Sequence, residues 1–166
     1  MDASQQLSPF KAENGQLFIS MEGIEGSGKS TQIKTMENFL AENGYKVLCL
    51  REPGGTKFGE GLRSAILESD NPLHPLAEAY LFASSRAQLL NEKVLPFLKS
   101  PKTCVILDRY IDSSIAYQGM ARGLGMETIV DIHCHAPLNI VPNITFYLKI
   151  DLQTSMERQR VDSVCP

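Results

Sequence analysis

The sequence predicts an α/β protein in which a parallel sheet has helices on both of its faces. Apolar runs with little alternation, typical of strands that are buried on both faces, occur at residues 17–21, 46–50, 103–107 and 144–150. Helical patterns separate these runs, as a parallel sheet requires. The 166 residues, 43% of them hydrophobic and 21% charged, have the length and composition of one globular domain.

Helix signals justify the segments between the strands. The first predicted helix spans residues 29–43, and Gly44 is its expected stop. A long helix begins near residue 76, and Pro96 places its end near residue 95. The remaining predicted helices cover residues 61–69, 113–120 and 126–136, and a last one begins near residue 152.

The two ends of the chain differ from the rest. Residues 1–16 are polar, without the apolar core of a secretory signal, and are predicted to be a flexible N-terminal extension of a domain at 17–166. The chain stops soon after its last helix begins, so we expect the C-terminal part of the domain to be missing. No stretch approaches the ~18 apolar residues of a membrane span.

Charge and cysteine usage exclude several classes of protein. A net charge of −3 gives no support to nucleic-acid binding. The four cysteines show no C-x-x-C spacing, which favours a reduced, cytoplasmic protein. The run His133-Cys134-His135 raises a metal site as an alternative, but adjacent residues on a helix point in different directions.

The most informative motif is the segment Gly-Ile-Glu-Gly-Ser-Gly-Lys-Ser at residues 23–30, which fits the phosphate-loop pattern G-x-x-x-x-G-K-[ST]. It follows a predicted strand and precedes a helix, whose positive N-terminal end favours an anion. The alternative is a glycine-rich turn with a solvated lysine. The motif predicts a site for ATP at Gly23, Ile24, Glu25, Gly26, Ser27, Gly28, Lys29, Ser30 and Thr31.

Polar residues also follow the second and third strands. Asp108 suits the carboxylate that, with the Ser30 hydroxyl, holds Mg²⁺ in phosphate-loop proteins, although a surface aspartate is the alternative. Arg51 and Arg109 bring two guanidinium groups to the same edge, where each can hold a phosphate bidentately. An acceptor that carries its own phosphate needs such a clamp, and an ionised phosphate needs no general base.

Two further pairs of residues point to ligand contacts. Phe82 and Arg86 share one helix face and suit a base with a carbonyl group, although Phe82 also fits a core position. Arg158 and Arg160 are cations able to close over a transferred phosphoryl group, or members of a solvated helix face. The segment that contains Ser113, Ser114, Tyr117 and Gln118 is a candidate lining of the same pocket.

Three motifs in this order strongly resemble the thymidylate kinase family. They are residues 22–31, the Arg-Glu-Pro-Gly-Gly-Thr loop at 51–56, and Asp-Arg-Tyr at 108–110 with residues 113–119. The likeness extends over residues 17–160. It implies a P-loop kinase fold, Mg²⁺-dependent transfer of the ATP γ-phosphoryl group to dTMP, the products dTDP and ADP, and a homodimer.

The resemblance also assigns roles by position. Lys29, Arg109, Arg158 and Arg160 are implied to be catalytic, with the last two at the start of a lid. The implied dTMP contacts are Glu25 at the sugar 3′-hydroxyl, Arg51 and Arg109 at the phosphate, Phe82 and Arg86 at thymine, Tyr117 at the missing 2′-hydroxyl, with Pro53 (often cis), Ser113, Ser114 and Gln118 nearby.

Two other functions remain as alternatives at this stage. The first is a nucleotide-binding module without catalysis, which the unfinished lid motivates. The second is a related kinase that acts on deoxynucleosides. That kinase needs a carboxylate base for the 5′-hydroxyl, and Glu22 is the only early candidate.

Overall fold

The structure is a computed structural model that describes residues 6–164, with side chains described as far as residue 159. A small sheet pairs β1 (Ser8–Pro9) with β5 (Ile140–Val141). The main sheet consists of β2 (Leu17–Glu22), β3 (Lys46–Arg51), β4 (Thr103–Asp108) and β6 (Ile144–Tyr147). All neighbouring strands are parallel, so the predicted architecture is confirmed.

The order of the main sheet is β3-β4-β2-β6, which places β2 and β4 at its centre. After β2 the chain moves to one side of the sheet, and after β4 it moves to the other. Met21 lies opposite Asp108, so the loops that follow the two central strands are neighbours. Ligands of such sheets bind where the strand order reverses, at the carboxyl ends of the strands.

Seven α-helices of the described chain connect and cover the strands. Two of them continue into π-helical turns, Leu90–Val94 after α3 and Ile115–Ala121 after α5. The helices are α1 (Lys29–Glu42), α2 (Lys57–Leu67), α3 (Pro75–Leu89), α4 (Leu95–Phe97), α5 (Ile111–Ser114), α6 (Met126–His133) and α7 (Leu152–Val164).

The core lies on both faces of the sheet because side chains alternate along a strand. Cys104 and Ile106 of β4 pack on the face that α1 covers with Leu40. The neighbouring β4 residues, Val105 and Leu107, pack on the other face with residues of α3 such as Leu89. Burial on both faces explains why β4 is an unbroken apolar run in the sequence.

Several predicted boundaries are wrong, among them the end of the helix predicted at 126–136, since α6 stops at His133. Helix α2 begins at Lys57 rather than residue 61, because the Thr56 side chain caps it by accepting the Gly59 N–H. The long helix continues to Phe97, because a π-helical turn at Leu90–Val94 precedes α4 and Pro96 lies in the first turn of α4, where proline is tolerated. Strand β6 ends at Tyr147, opposite Glu22, because β2 turns into the loop there and offers no further partner.

The predicted flexible extension is in part packed against the domain. Ser8 and Pro9 form β1, and the flanking Leu7 and Phe10 pack against the core on the α3 side of the sheet. Burial of these apolar side chains holds residues 7–10 against the domain, while the flexibility of the extension stays a prediction. The domain boundary itself stays a prediction. Within the described residues, no helix has both the length and the apolar character needed to cross a bilayer.

Candidate active site

The loop between β2 and α1 has the backbone of an anion cradle. Gly23 has φ 147° and Gly28, the residue before α1, has φ 91°. A Cβ atom on Gly23 would lie 2.7 Å from the Leu148 carbonyl oxygen and from the Ser27 Oγ. Glycine is therefore required at residue 23, since both the conformation and the space exclude a side chain.

Lys29 extends across this loop instead of into solvent. The residue is 8% exposed, and its Nζ donates to the carbonyl oxygens of Gly23 at 3.0 Å and Ile24 at 3.2 Å. Burial, followed by the nearby charge of Arg109, lowers the pKa of Lys29. An anion bound in the loop would offset both effects. The alternative of a solvated lysine is therefore wrong.

A first cavity of about 700 Å³ opens at the carboxyl ends of β2, β3 and β4. Five cationic side chains contribute to its lining, against four carboxylates. The charged residues are Lys29, Arg51, Arg63, Arg109 and Arg158, with Glu25, Glu52, Asp108 and Glu157. Gly26, Gly28, Ser30 and Thr31 of the phosphate loop and α1 complete the lining. Cations around a helix N-terminus make this cavity suited to a polyphosphate.

Asp108 and Ser30 line this cavity together. The Oδ1 atom of Asp108 is buried and has no hydrogen-bond partner among the described residues. A buried carboxylate oxygen without a partner is unfavourable unless a ligand or ion satisfies it. Carboxylate and hydroxyl oxygens are the ligands that Mg²⁺ prefers, so the two residues fit this metal.

Arg109 connects the first cavity to a second one. Its backbone has φ 72°, and its N–H donates to the Met21 carbonyl oxygen at 3.0 Å. Its Nη1 donates to the Ser113 Oγ at 3.2 Å, and its guanidinium lies 5.4 Å from the centre of the Tyr117 ring. The left-handed turn after β4 thus directs this side chain to the junction of the two cavities.

Glu22 stabilises this turn through two hydrogen bonds. Its Oε1 accepts the Tyr110 N–H at 2.8 Å, and its Oε2 accepts the Ser113 hydroxyl at 2.6 Å. Burial is the main cause that raises the pKa of Glu22. Both carboxylate oxygens hold the segment that carries Arg109, and Glu22 is not among the residues that line either cavity.

The second cavity, of about 630 Å³, is more apolar and lies between α2, α3 and the segment after α5. Phe82 lines it and belongs to neither core cluster, so the alternative of a core position is wrong. Glu25, Glu52, Arg63 and Arg109 line both cavities, which therefore adjoin. The other predicted residues in its lining are Pro53, which follows a cis peptide bond, Arg86, Ser113, Ser114, Tyr117 and Gln118.

Arg86 is more constrained than the sequence predicts. It is 1% exposed, and its Nε donates to Glu52 Oε2 at 2.5 Å. Its Nη1 donates to Ser114 Oγ at 3.2 Å and to His133 Nε2 at 2.6 Å, and the Tyr110 ring lies below it at 4.8 Å. In the described part of the chain these bonds use Nε and Nη1, which leaves Nη2 for a ligand.

Gln118 is oriented by a second network. Its Nε2 donates to Glu78 Oε1 at 2.9 Å, and Arg122 donates to the other oxygen of Glu78 at 2.8 Å. Gln118 is 4% exposed, whereas Tyr117 beside it is 44% exposed at the mouth of the cavity. Because the amide nitrogen is engaged, the amide oxygen of Gln118 is the group available to a ligand.

The arginines predicted to meet phosphate occupy different positions. Arg51 is exposed, with its Nη2 3.5 Å from Glu60 Oε2, and lines the first cavity only. Arg158 donates to the Gly26 carbonyl oxygen at 2.8 Å, and Ser155 donates to that of Glu25 at 2.6 Å, so α7 packs on the phosphate loop. The Arg158 side chain is also exposed, so a solvated helix face stays the alternative to its predicted role as a closing cation. The side chain of Arg160 lies outside those described.

Sequence reasoning did not identify Arg63 as a functional candidate. Arg63 of α2 lines both cavities, and its Nη1 donates to the Pro53 carbonyl oxygen at 3.2 Å. The sequence does show an arginine in the helix after the Arg-Glu-Pro loop. It does not show that this arginine lies on the face of the helix that lines the cavities. His133 bonds to Arg86 and to its own helix, and no metal-binding group of side chains occurs among the described residues.

A parallel α/β sheet with a phosphate loop, an adjoining apolar cavity and guanidinium groups between them defines a nucleoside monophosphate kinase with the P-loop kinase fold. The comparisons with known proteins agree with this class. The family model for thymidylate kinase matches residues 21–163. The chain belongs to the thymidylate kinase family, as the resemblance predicted.

Individual relatives support the family assignment. The chain is 49% identical over 142 residues to the thymidylate kinase of Thermoanaerobacter sp. (strain X514), which covers 86% of this chain and 70% of that protein. The chain is also 42% identical over 150 residues to the thymidylate kinase of Chlorobaculum tepidum. This alignment covers 90% of this chain and 70% of that protein. The crystal structure of thymidylate kinase from Ehrlichia chaffeensis matches with TM-score 0.71 and 34% identity, over 90% and 85% of the two chains.

Proposed function

We propose that this chain transfers the γ-phosphoryl group of ATP to the phosphate of dTMP, giving dTDP and ADP, at the junction of the two cavities. The observation that carries the proposal is this junction. Arg63 and Arg109 line both cavities, and Lys29 and Arg51 line the first beside them. A donor polyphosphate and an acceptor phosphate can therefore meet among cations without crossing bulk solvent.

ATP is proposed to bind the first cavity. The backbone N–H groups of the loop and the N-terminus of α1 would hold the β- and γ-phosphates, with Lys29 as the adjacent point charge. Arg158, at the Gly26 carbonyl, is positioned to exchange that partner for a phosphoryl oxygen. The proposed contacts are the predicted ones, Gly23 to Thr31, with Arg158 and Arg160 as the closing cations.

Mg²⁺ is proposed to bind Ser30 and Asp108. The unpartnered buried Oδ1 of Asp108 supports this assignment. The ion would neutralise phosphate charge and orient the donor. The residues of the chain supply the remaining positioning, because phosphoryl transfer depends mainly on alignment and charge neutralisation.

The acceptor is proposed to bind the second cavity. Arg51, Arg63 and Arg109 would hold its phosphate, which is ionised near neutral pH and attacks without a general base. Phe82 would stack on the thymine, while Arg86 Nη2 donates to its O4 and the Gln118 oxygen accepts from N3–H. Glu25 and Tyr117 are proposed at the sugar, and Pro53, Ser113 and Ser114 shape the pocket around it.

A coupled assay of ADP formation tests the substrate assignment. The chain is incubated with ATP, Mg²⁺ and, in turn, dTMP, dUMP, dCMP, AMP or GMP. We expect the highest kcat/KM with dTMP. Faster turnover of AMP or GMP would defeat the assignment, and nucleotide binding without any ADP formation would favour the module without catalysis.

The structure gives no support to a kinase acting on deoxynucleosides. Its required base, Glu22, is engaged by Tyr110 and Ser113 and does not line the second cavity.

We also propose a homodimer, supported by exposed Phe58 and Tyr80 on the neighbouring helices α2 and α3, and a cytoplasmic location, supported by three free cysteines among the described residues. Light scattering after size-exclusion chromatography tests the dimer.

A further inference from the structure

His133 is a buried titratable residue that the proposed reaction does not use. It is the last residue of α6 and is 2% exposed. It is not among the residues that line either cavity. Both of its ring nitrogens nevertheless have close partners, the Ile129 carbonyl oxygen at 2.7 Å and Arg86 Nη1 at 2.6 Å.

These partners fix the protonation state of the ring. A carbonyl oxygen only accepts, so Nδ1 carries the hydrogen and donates to Ile129. A guanidinium only donates, so Nε2 must carry a lone pair and accept from Arg86. Burial, followed by the charge of Arg86, lowers the pKa of His133 to about 4, which keeps the ring neutral near pH 7.

The contact with Arg86 has a geometric consequence. A guanidinium group is planar, so partners on two of its nitrogens fix the direction of the third. Glu52 holds Nε, while His133 and Ser114 hold Nη1. Without His133, the described hydrogen bonds leave Nη1 only the longer contact to Ser114, at 3.2 Å, and the guanidinium gains freedom to rotate.

We propose that His133 is a positioning residue that fixes the Arg86 guanidinium so that Nη2 points at the nucleobase. It acts through Arg86 and does not touch the substrate. The inference rests on the proposed function, in which Arg86 reads the base of dTMP. Helix α6 thereby contributes to base recognition, although the His133 side chain does not line the cavity.

Three forms of the chain test this role by calorimetry with dTMP. His133→Leu removes the acceptor at similar volume, and His133→Gln restores an acceptor near the position of Nε2. We expect His133→Leu to raise the Kd for dTMP about 10- to 100-fold, the range for one hydrogen bond to a charged group. The Kd for ATP stays within about twofold, and His133→Gln recovers most of the dTMP affinity.

A dTMP analogue with 2-pyrimidinone as its base, which lacks the oxygen at position 4, separates positioning from a general packing effect. Unmodified chain and His133→Leu should bind this analogue about equally, because Arg86 has nothing to read. Equal dTMP affinity in the two proteins would overturn the inference but not the proposed function. The same holds if His133→Leu loses affinity equally for dTMP, the analogue and ATP. An unmodified chain that binds no dTMP would overturn the proposed function and the inference with it.

Discussion

Arg86 and Glu52 form an ion pair in which both side chains are almost completely buried. Nε lies 2.5 Å from Oε2, and the two side chains are 2% and 3% exposed. The pair joins the loop after β3 to helix α3, and both residues line the second cavity. Burial raises the pKa of Glu52 to about 7, although the charge of Arg86 acts in the opposite direction.

Breaking this pair should therefore destabilise the protein. Arg86→Met leaves a buried carboxyl group without its partner, and we expect the free energy of unfolding to fall by about 3 kcal/mol or more. Lys34→Met is the control, because it breaks an exposed pair with Glu37 at 2.9 Å and should leave the free energy of unfolding nearly unchanged. Urea titration measures both, and equal losses would contradict the expectation.

The phosphate loop should not tolerate a side chain at its first glycine. Gly23→Ala places a Cβ atom 2.7 Å from the Leu148 carbonyl oxygen, so the loop must move, and we expect ATP binding to be lost. Gly61→Ala provides the contrast. That glycine lies within α2 with open space around it, so alanine should stabilise the helix by about 0.5–1 kcal/mol. Calorimetry and thermal unfolding of the two variants distinguish these outcomes.

Lys29 should matter for phosphoryl transfer more than for the acceptor. Lys29→Met removes the charge beside the donor phosphates, and kcat should fall about 100-fold or more. The Kd for dTMP should stay within about threefold, because Lys29 does not line the second cavity. Lys34→Met on the same helix should keep full activity. A matching loss of dTMP affinity in Lys29→Met would mean that the lysine acts structurally.

Arg63 should bind phosphate although no sequence motif identifies it. Arg63→Ala removes a guanidinium that lines both cavities, and we expect kcat/KM for dTMP to fall about 10- to 100-fold. Arg63→Lys keeps the charge but not the bidentate fork, so its loss should be intermediate. Lys57→Ala, at an exposed residue of the same helix, is the control. Unchanged kinetics in Arg63→Ala would show that Arg63 does not bind the phosphate.

The pH dependence of stability should reflect the lowered pKa of His133. Its pKa is lowered from 6.5 to about 4 in the folded chain, so the unfolded chain binds a proton first as the pH falls. Stability is therefore lost as the pH falls from 6.5 to 4, by up to about 3 kcal/mol. His133→Gln lacks this titration, so the difference between the two proteins should shrink or reverse over that window. A constant difference from pH 7 to pH 4 would contradict the lowered pKa.

Several parts of the site were predictable because their signals are local. The phosphate loop needs glycines with positive φ beside a lysine, and these occur as one short segment. Phe82 and Arg86 share a helix face by their spacing alone. Arg63 and His133 were missed, since their roles depend on which loop or helix lies opposite. His133 is 47 residues from its partner Arg86 in the sequence.

By itself the sequence determined the strands of the main sheet, the phosphate loop and the family, because each depends on residue type and on spacing within a short segment. Tertiary structure alone decided that two cavities adjoin at Arg63 and Arg109, and that Glu52 and His133 fix Arg86. Those contacts arise when the strand order β3-β4-β2-β6 brings distant loops to one edge. Long-range pairing of this kind leaves no periodic or local pattern in the chain.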